Sequence, residues 1–230
     1  MKNSIKEKPN PDHVIDLKYN FQMISLGEQC YSRVFLERFH LYDFRKTRKV
    51  RMPFDGCVTQ YKEVCSLLNN NFANVFTGLK SVKNEIITDL AIYNHEKTNN
   101  LDLFKQQMIC RVSQFNDELS GDGTIIFFIT YWRYPRNLIN IIRKKYPNVK
   151  FKIFCLNYFQ NKEIKNSDFC KFISLKTPWK DYRLYLDHET ERGQKYEKKV
   201  LKEFLCFLSE ISGAEYDTEK IFLNRSIWPT

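Results

Sequence analysis

The chain has 230 residues, of which 43% are hydrophobic, 15% aromatic and 28% charged. This length supports one domain with a substantial core or two small domains, and the hydrophobic share excludes a disordered protein. The formal net charge of +10 favours an anionic partner such as nucleic acid or an anionic glycan, although lysine-rich surfaces also keep many proteins in solution.

The first half of the chain begins with a polar segment. Residues 1–20 contain two prolines and lack an apolar stretch, which predicts a flexible leader and not a secretory signal. Residues 21–27 predict a buried strand. A helix follows, because apolar side chains recur there with a period of 3.6 residues, at Tyr31, Val34, Phe35, Phe39 and Tyr42. The basic run 45–51 predicts a solvated loop, and residues 59–68 predict a second amphipathic segment.

The second half predicts alternating strands and helices. Residues 72–98 give a mixed pattern, in which 85–93 are more strand-like than helical, and 101–119 predict a helix. Two strands, 124–130 and 149–156, flank a helix with Pro135 in its first turn, and such a βαβ unit indicates a parallel sheet. A strand at 172–175 and a long helix through Tyr196 and Ile211 complete the pattern. We therefore predict a single α/β domain over residues 21–230, with three layers and a mostly parallel sheet.

Several common sites are absent from the sequence. The chain has neither G-x-G-x-x-G nor G-x-x-x-x-G-K-[ST], so P-loop hydrolysis is excluded and Rossmann dinucleotide binding loses its main support. The seven cysteines are irregularly spaced and form no C-x-x-C pair, which argues against a disulfide framework and against a zinc knuckle. No apolar run approaches a membrane span. We expect a reduced, cytoplasmic protein (host cytosol if the source is a virus) without a cofactor.

The strongest candidate site lies between the first strand and the first helix, in Ser25-Leu26-Gly27-Glu28-Gln29-Cys30. Ligand sites of open parallel sheets collect beyond the carboxyl ends of the strands. A cysteine at a helix N-terminus faces the positive end of the helix dipole, which favours the thiolate and lowers the thiol pKa. Gly27 permits a tight turn, and Gln29 offers an amide donor beside the sulfur. Cys30 is therefore a candidate nucleophile.

A thiol nucleophile needs a base, which is usually histidine. The chain has four histidines. His13 lies in the leader and His40 lies inside the first helical pattern, so neither suits the role. His95 follows a strand-like run, and His188 has acidic neighbours that can orient its ring. We predict His95 as the base, with His188 as the alternative.

The residues around Cys30 resemble a family of unknown function. Ser25-Leu26-Gly27-x-x-Cys30, a helix carrying Leu36-Glu37-Arg38-Phe39, and Met52-Pro53-Phe54-Asp55 are similar to motifs of bacterial and viral proteins described as papain-like cysteine peptidases. The resemblance covers roughly residues 22–130. It matches Tyr93-Asn94-His95-Glu96 to a tyrosine-and-histidine segment of the family and Arg111 to the arginine of a following helix. Gly56-Cys57 stands where the family has tryptophan.

The residues and the resemblance together predict a cysteine-dependent hydrolase or acyl-transfer enzyme. Cys30 is the nucleophile and His95 is the base. Gln29, with backbone N–H groups, stabilises the oxyanion, and Asp55 or Asn94 orients the imidazole. Asp55 is equally suited to a turn or cap role.

The predicted substrate-binding positions follow in part from the resemblance. Gly27 and Arg111 are the predicted substrate-binding residues, and the substrate is a protein, a glycan or an acyl group.

Two alternatives to an enzyme stay open: a non-enzymatic accessory protein that binds a partner with its surface, and a binder of nucleic acid or anionic glycan. No H-E-x-x-H or other clustered ligand set predicts a metal site.

Overall fold

A computed structural model of the chain describes residues 21–27, 30–41, 51–83, 85–94, 96, 98–131, 133–158, 165–177 and 190–225. The predicted leader, residues 1–20, lies outside this part of the chain. In chain order the strands are β1 (Phe21–Ser25), β2 (Val58–Thr59), β3 (Lys80–Val82), β4 (Glu85–Ile87), β5 (Ala91–Tyr93), β6 (Thr124–Thr130), β7 (Lys150–Asn157), β8 (Lys165–Asn166) and β9 (Cys170–Ser174). The helices are α1 (Tyr31–Arg38), α2 (Tyr61–Asn69), α3 (Leu101–Leu119), α4 (Arg136–Lys145), α5 (Glu191–Ser212) and α6 (Thr218–Leu223).

The main sheet has the strand order β1-β6-β7-β9-β8. Strands β1, β6, β7 and β9 run parallel, and β8 pairs antiparallel with β9 at the edge. The register pairs Ser25 with Phe128 and Asn157 with Ser174. The prediction of an α/β fold with a mostly parallel sheet is confirmed.

Both faces of this sheet are buried. Along β6, Ile125, Phe127 and Ile129 belong to one apolar core with residues of α2, α3 and α4, while Ile126 and Phe128 belong to a second core with residues of α1, α5 and α6. Since neither face meets solvent, the strand is an uninterrupted apolar run in the sequence.

Aromatic rings fix α1 against the second core. The Phe35 ring lies 5.3 Å from that of Phe128 and 5.9 Å from that of Phe204, both in edge-on arrangements. Such ring pairs stabilise packing beyond the area they bury. Helix α1, which begins directly after Cys30, is therefore held rigidly on the sheet.

A second, antiparallel sheet in the order β2-β5-β4-β3 was not predicted as a sheet. The strand-like run 85–93 forms β4 and β5, which are separated by a turn in which the Thr88 hydroxyl accepts the N–H of Ala91 at 3.0 Å. On the inward face of the small sheet, Ile86 pairs with Tyr93, and both are buried. This sheet delivers the segment after Tyr93 to the candidate site.

Two helix boundaries differ from the sequence predictions. Helix α1 ends at Arg38, and His40 lies in the following turn with φ +52°, so the placement of His40 inside the helix was wrong. Pro135 occupies the N-cap of α4, one residue before the first turn. No helix among the described residues is long and apolar enough to cross a bilayer.

Candidate active site around Cys30

Cys30 is the N-cap residue of α1, just beyond the carboxyl end of β1. The connection is tightly held: the N–H of Leu26 donates to Phe128 O at 3.0 Å, and the buried hydroxyls of Ser25 and Ser32 share a hydrogen bond of 2.8 Å. Gly27 makes the turn with φ +77°, a conformation that favours glycine. The predicted position of Cys30 at a helix start beside the sheet is confirmed.

The parallel strands all end in polar residues at this edge of the sheet. Their last residues are Ser25, Thr130, Asn157 and Ser174, and all four are buried. The Asn157 side-chain amide donates to the Ser174 hydroxyl at 3.0 Å, whereas the buried Thr130 hydroxyl has no hydrogen-bond partner within the described part of the chain. Apolar strands that end in buried polar groups are typical of a ligand-binding edge in an open parallel sheet.

Cys30 is buried at the start of α1. The residue is only 3% exposed. Burial raises the pKa of the Cys30 thiol, and the backbone N–H of Cys30 opposes this shift to a smaller extent. The expectation that the helix start lowers this pKa was therefore wrong in sign, because loss of hydration outweighs the dipole of a helix of 8 residues.

Asp55 joins a turn to α1. Its carboxylate Oδ2 accepts the N–H of Met52 at 2.7 Å and a hydrogen bond from the Arg33 guanidinium. Arg33 also donates to Glu37, one turn further along α1. Asp55 thus has the turn role that was one of its two predicted roles. The structure does not describe His95, Gln29 or His188.

A buried ion pair joins α3 to the segment after β5. Arg111 of α3 donates through both terminal nitrogens to the carboxylate of Glu96, at 2.6 and 2.9 Å. Arg51 approaches the same Glu96 oxygen at 3.9 Å. Arg111, a predicted substrate-binding residue, therefore holds the segment after β5 against α3.

Charged groups from both ion pairs act on the buried thiol of Cys57. Burial raises the pKa of the Cys57 thiol strongly, the charges of Asp55 and Cys30 raise it further, and the charge of Arg111 opposes them. One buried thiol thus lies within electrostatic range of the candidate nucleophile and of both ion pairs. We call this group the Cys30 cluster; it comprises Cys30, Arg33, Asp55, Cys57, Glu96 and Arg111.

Tyr93 and Asn94 border the cluster. Burial raises the pKa of the Tyr93 hydroxyl well above its usual range, and the charges of Cys57 and Arg111 also act on it. The side-chain oxygen of Asn94 is buried and accepts no hydrogen bond from any described residue. An acceptor in this state is available to an imidazole N–H or to a substrate.

Three members of the Cys30 cluster were not predicted as site residues: Arg33, Cys57 and Glu96. A signal existed for Arg33, which follows Cys30 by one helical turn and therefore shares its side of α1.

Gly56 stands where the resembled family has tryptophan. It adopts φ +73°, a backbone conformation that favours glycine. Within the described residues, no group of three or more His, Cys, Asp or Glu side chains is arranged to hold a metal ion.

Comparisons with protein-family models, with curated proteins and with solved structures found no match for this chain.

Proposed function

We propose that this protein is a cysteine-dependent hydrolase or acyl-transfer enzyme in which Cys30 is the nucleophile. The observation that carries the proposal is the position of Cys30 at the start of α1, just beyond the carboxyl end of β1. Burying an ion pair costs free energy, because the loss of hydration can outweigh the attraction between the two charges. Here charged groups from separate segments of the chain act on the thiol of Cys57, which also interacts with Cys30.

The proposed reaction is acyl transfer through a thioester. A base removes the Cys30 proton, the sulfur attacks the substrate carbonyl, and the same base then protonates the leaving group. Water or a second acceptor releases the acyl group from the sulfur. Because burial raises the pKa of the Cys30 thiol, a base must act during the attack, and His95 is the proposed base. Gln29 and backbone N–H groups at the start of α1 are the proposed oxyanion donors.

The decisive experiment measures the alkylation rate of each cysteine against pH by mass spectrometry. An activated pair makes Cys30 react well below the unperturbed thiol pKa of about 8.5, and His95→Ala removes that reactivity. His188→Ala is the matched control and should leave the profile unchanged. If Cys30 titrates at high pH alike in all three proteins, the catalytic proposal fails.

The burial of Cys30 favours a second candidate, a binding protein without catalytic activity. A cysteine that is 3% exposed with a raised pKa has the properties of a packing residue. In that case Cys30→Ala and Cys30→Ser preserve every binding property of the protein while only its stability changes. Loss of a partner in pull-downs with folded Cys30→Ser protein argues against this candidate.

A further inference from the structure

We propose that Cys30 and Cys57 form a reversible disulfide when a hydroperoxide oxidises the site, so that Cys57 protects the candidate nucleophile and switches it off. This inference rests on the proposed function of Cys30, because the same base would supply the thiolate that the oxidant meets. Neither sulfur is part of a disulfide in the structure. The proposed acyl transfer gives Cys57 no role, although this buried thiol belongs to the Cys30 cluster.

The segment that carries Cys57 packs against the connection that precedes Cys30. Gly27 lies three residues before Cys30. A Cβ at Gly27 would lie 2.8 Å from Thr59 Cγ2 and 3.6 Å from Phe54 Cδ1. Thr59 and Phe54 flank Cys57 in the chain, so the β1–α1 connection touches the Cys57 segment on both sides of that cysteine.

A second contact between the same two segments lies after Cys30. Arg33 follows Cys30 by three residues on α1 and donates to Asp55 Oδ2. Asp55 precedes Cys57 by two residues. Cys30 therefore lies midway between two residues that contact the segment 54–59, and Cys57 lies inside that segment. These contacts hold the two cysteines close together.

The electrostatics of the site supports the same proximity. The charge of Cys30 raises the pKa of the Cys57 thiol. Because the interaction between two charges weakens with distance, this effect indicates that the two sulfurs are neighbours.

The Cys57 side chain can turn toward Cys30 at little cost. Its Sγ donates to Phe54 O at 3.3 Å, and this hydrogen bond is weak because a thiol is a weak donor. A disulfide requires Cα atoms about 4.4–6.8 Å apart. The bond between Arg33 and Asp55 holds the two segments together while the thiol rotates.

The surroundings of the two thiols set the order of oxidation. Cys30 is 3% exposed and Cys57 is fully buried, so an oxidant from solvent meets Cys30 first. Burial raises the pKa of both thiols, and for Cys57 the charge of Asp55 adds to a stronger shift. Cys30 is therefore the thiol that becomes oxidised, and Cys57 is the thiol that resolves it.

The reaction with hydrogen peroxide balances in two steps. The Cys30 sulfur attacks one peroxide oxygen, the O–O bond breaks, and a sulfenic acid and one water are formed. The Cys57 sulfur then attacks the sulfenic sulfur, the S–S bond forms, and the hydroxyl leaves with the Cys57 proton as a second water. The two sulfurs together lose two electrons, which the peroxide gains. A small thiol such as dithiothreitol reverses the bond by thiol–disulfide exchange.

Mass spectrometry after oxidation tests the pair without a known substrate. Wild-type protein is treated with hydrogen peroxide, the remaining thiols are blocked with iodoacetamide, and the protein is digested without reduction. We expect a linked peptide that contains Cys30 and Cys57 and is two hydrogen atoms lighter than its two parts. Dithiothreitol should remove the link and restore the alkylation of Cys30. In a mixture of isotopically labelled and unlabelled protein, no linked peptide should combine the two labels, because the bond forms within one molecule.

Two serine variants separate the role of Cys57 from general oxidation. In Cys57→Ser we expect Cys30 to proceed to the sulfinic acid, which dithiothreitol does not reduce, so the recovery of Cys30 alkylation is lost. Cys65→Ser changes a half-buried cysteine on α2 and should leave both the linked peptide and the recovery unchanged. The linked peptide is measured in the wild type, so the test stands even where Cys57→Ser fails to fold.

Two results overturn the proposal, and they are distinguishable. If hydrogen peroxide oxidises Cys30 in the wild type without a link to Cys57, or if the recovery is unchanged in Cys57→Ser, the pair is wrong and the nucleophile stands. If Cys30 reacts with neither hydrogen peroxide nor iodoacetamide while the exposed Cys110 reacts with both, the proposed function fails and the pair fails with it.

Discussion

Arg33 and Asp55 join the first turn of α1 to the turn at Met52–Asp55. The guanidinium donates to Asp55 Oδ2, and the same oxygen accepts the N–H of Met52 at 2.7 Å. Two chain segments that contain the thiols Cys30 and Cys57 are thereby tied to each other. The position of the candidate nucleophile depends on this link as well as on the sheet.

Asp55→Asn should weaken the link between α1 and the Met52–Asp55 turn while keeping the hydrogen bond inside the turn. The asparagine oxygen can still accept the Met52 N–H, but the charge-assisted bond from Arg33 is lost. We expect the free energy of unfolding to fall by about 1–3 kcal/mol, measured by urea denaturation. Asp102→Asn, at an exposed position in the first turn of α3, is the control and should cost less. Equal losses in the two variants would show that the Arg33–Asp55 bond contributes little.

The Glu96–Arg111 pair should be far more costly to break than a surface pair. Both side chains are about one-twentieth exposed, so Arg111→Met leaves a carboxylate buried with only a distant cation. We expect a loss of about 3–5 kcal/mol in the free energy of unfolding. Lys198→Met, which breaks the exposed pair with Glu219, should cost about 1 kcal/mol at most.

A double variant distinguishes the contribution of the Glu96–Arg111 ion pair from the cost of leaving one of its charges buried alone. Glu96→Met combined with Arg111→Met removes both charges, so no uncompensated ion remains. Its loss of stability should be smaller than the sum of the two single losses. Additive losses would mean that the two side chains stabilise the fold independently.

The sequence predicts the central sheet better than the site. Residues 124–130 were predicted to the residue as β6, because burial of both faces gives an unbroken apolar run. Strands β2 and β3 escaped prediction, since they have two and three residues and β3 is exposed throughout. A period of two cannot be detected in so short a segment.

The site was predicted where it depends on local chain order and missed where it depends on tertiary contacts. Cys30 could be placed at a helix start, but the sign of its pKa shift is set by burial, which comes from distant segments. Glu96 looks like a surface charge in the sequence, because the residue types of a buried ion pair do not differ from those of an exposed one.

Glu197 should make stability depend on pH. It accepts a hydrogen bond from Arg38, and both side chains are 1% exposed. Burial raises the pKa of Glu197 to about 7, against the opposing charges of Arg38 and Arg225. Burial raises the pKa of the hydroxyls of Tyr31 on α1 and of Tyr196 on α5, and the charge of Glu197 adds to this shift.

The raised pKa of Glu197 determines the direction in which stability changes with pH. A carboxyl whose folded pKa is raised holds its proton more tightly in the folded state, so its contribution to stability is present at low pH. That contribution should be lost as the pH rises from about 4.5 to about 7. Glu197→Gln should flatten this part of the curve of unfolding free energy against pH, whereas Glu215→Gln, an exposed control, should not. An unchanged slope in Glu197→Gln would assign the dependence to other groups.

Gly27→Ala should displace the turn that precedes Cys30, for two separable reasons. Gly27 has φ +77°, and a Cβ at this position would lie 2.8 Å from Thr59 Cγ2. The left-handed backbone costs about 1–2 kcal/mol for an ordinary residue, and the clash adds to it. Gly213→Ala isolates the first cost, because Gly213 has φ +72° with nothing within 4 Å of the added carbon. We expect Gly27→Ala to lose more stability than Gly213→Ala in urea denaturation.

Thr59→Ser then tests the clash itself. Serine lacks the Cγ2 methyl but keeps the hydroxyl, which donates to Leu90 O at 2.6 Å. In the Thr59→Ser background, Gly27→Ala should cost about as much as Gly213→Ala, and the alkylation rate of Cys30 should return toward that of the wild type. If the excess loss persists in that background, the turn is sensitive to Gly27 through its backbone alone, and contact between the β1–α1 connection and β2 does not position Cys30.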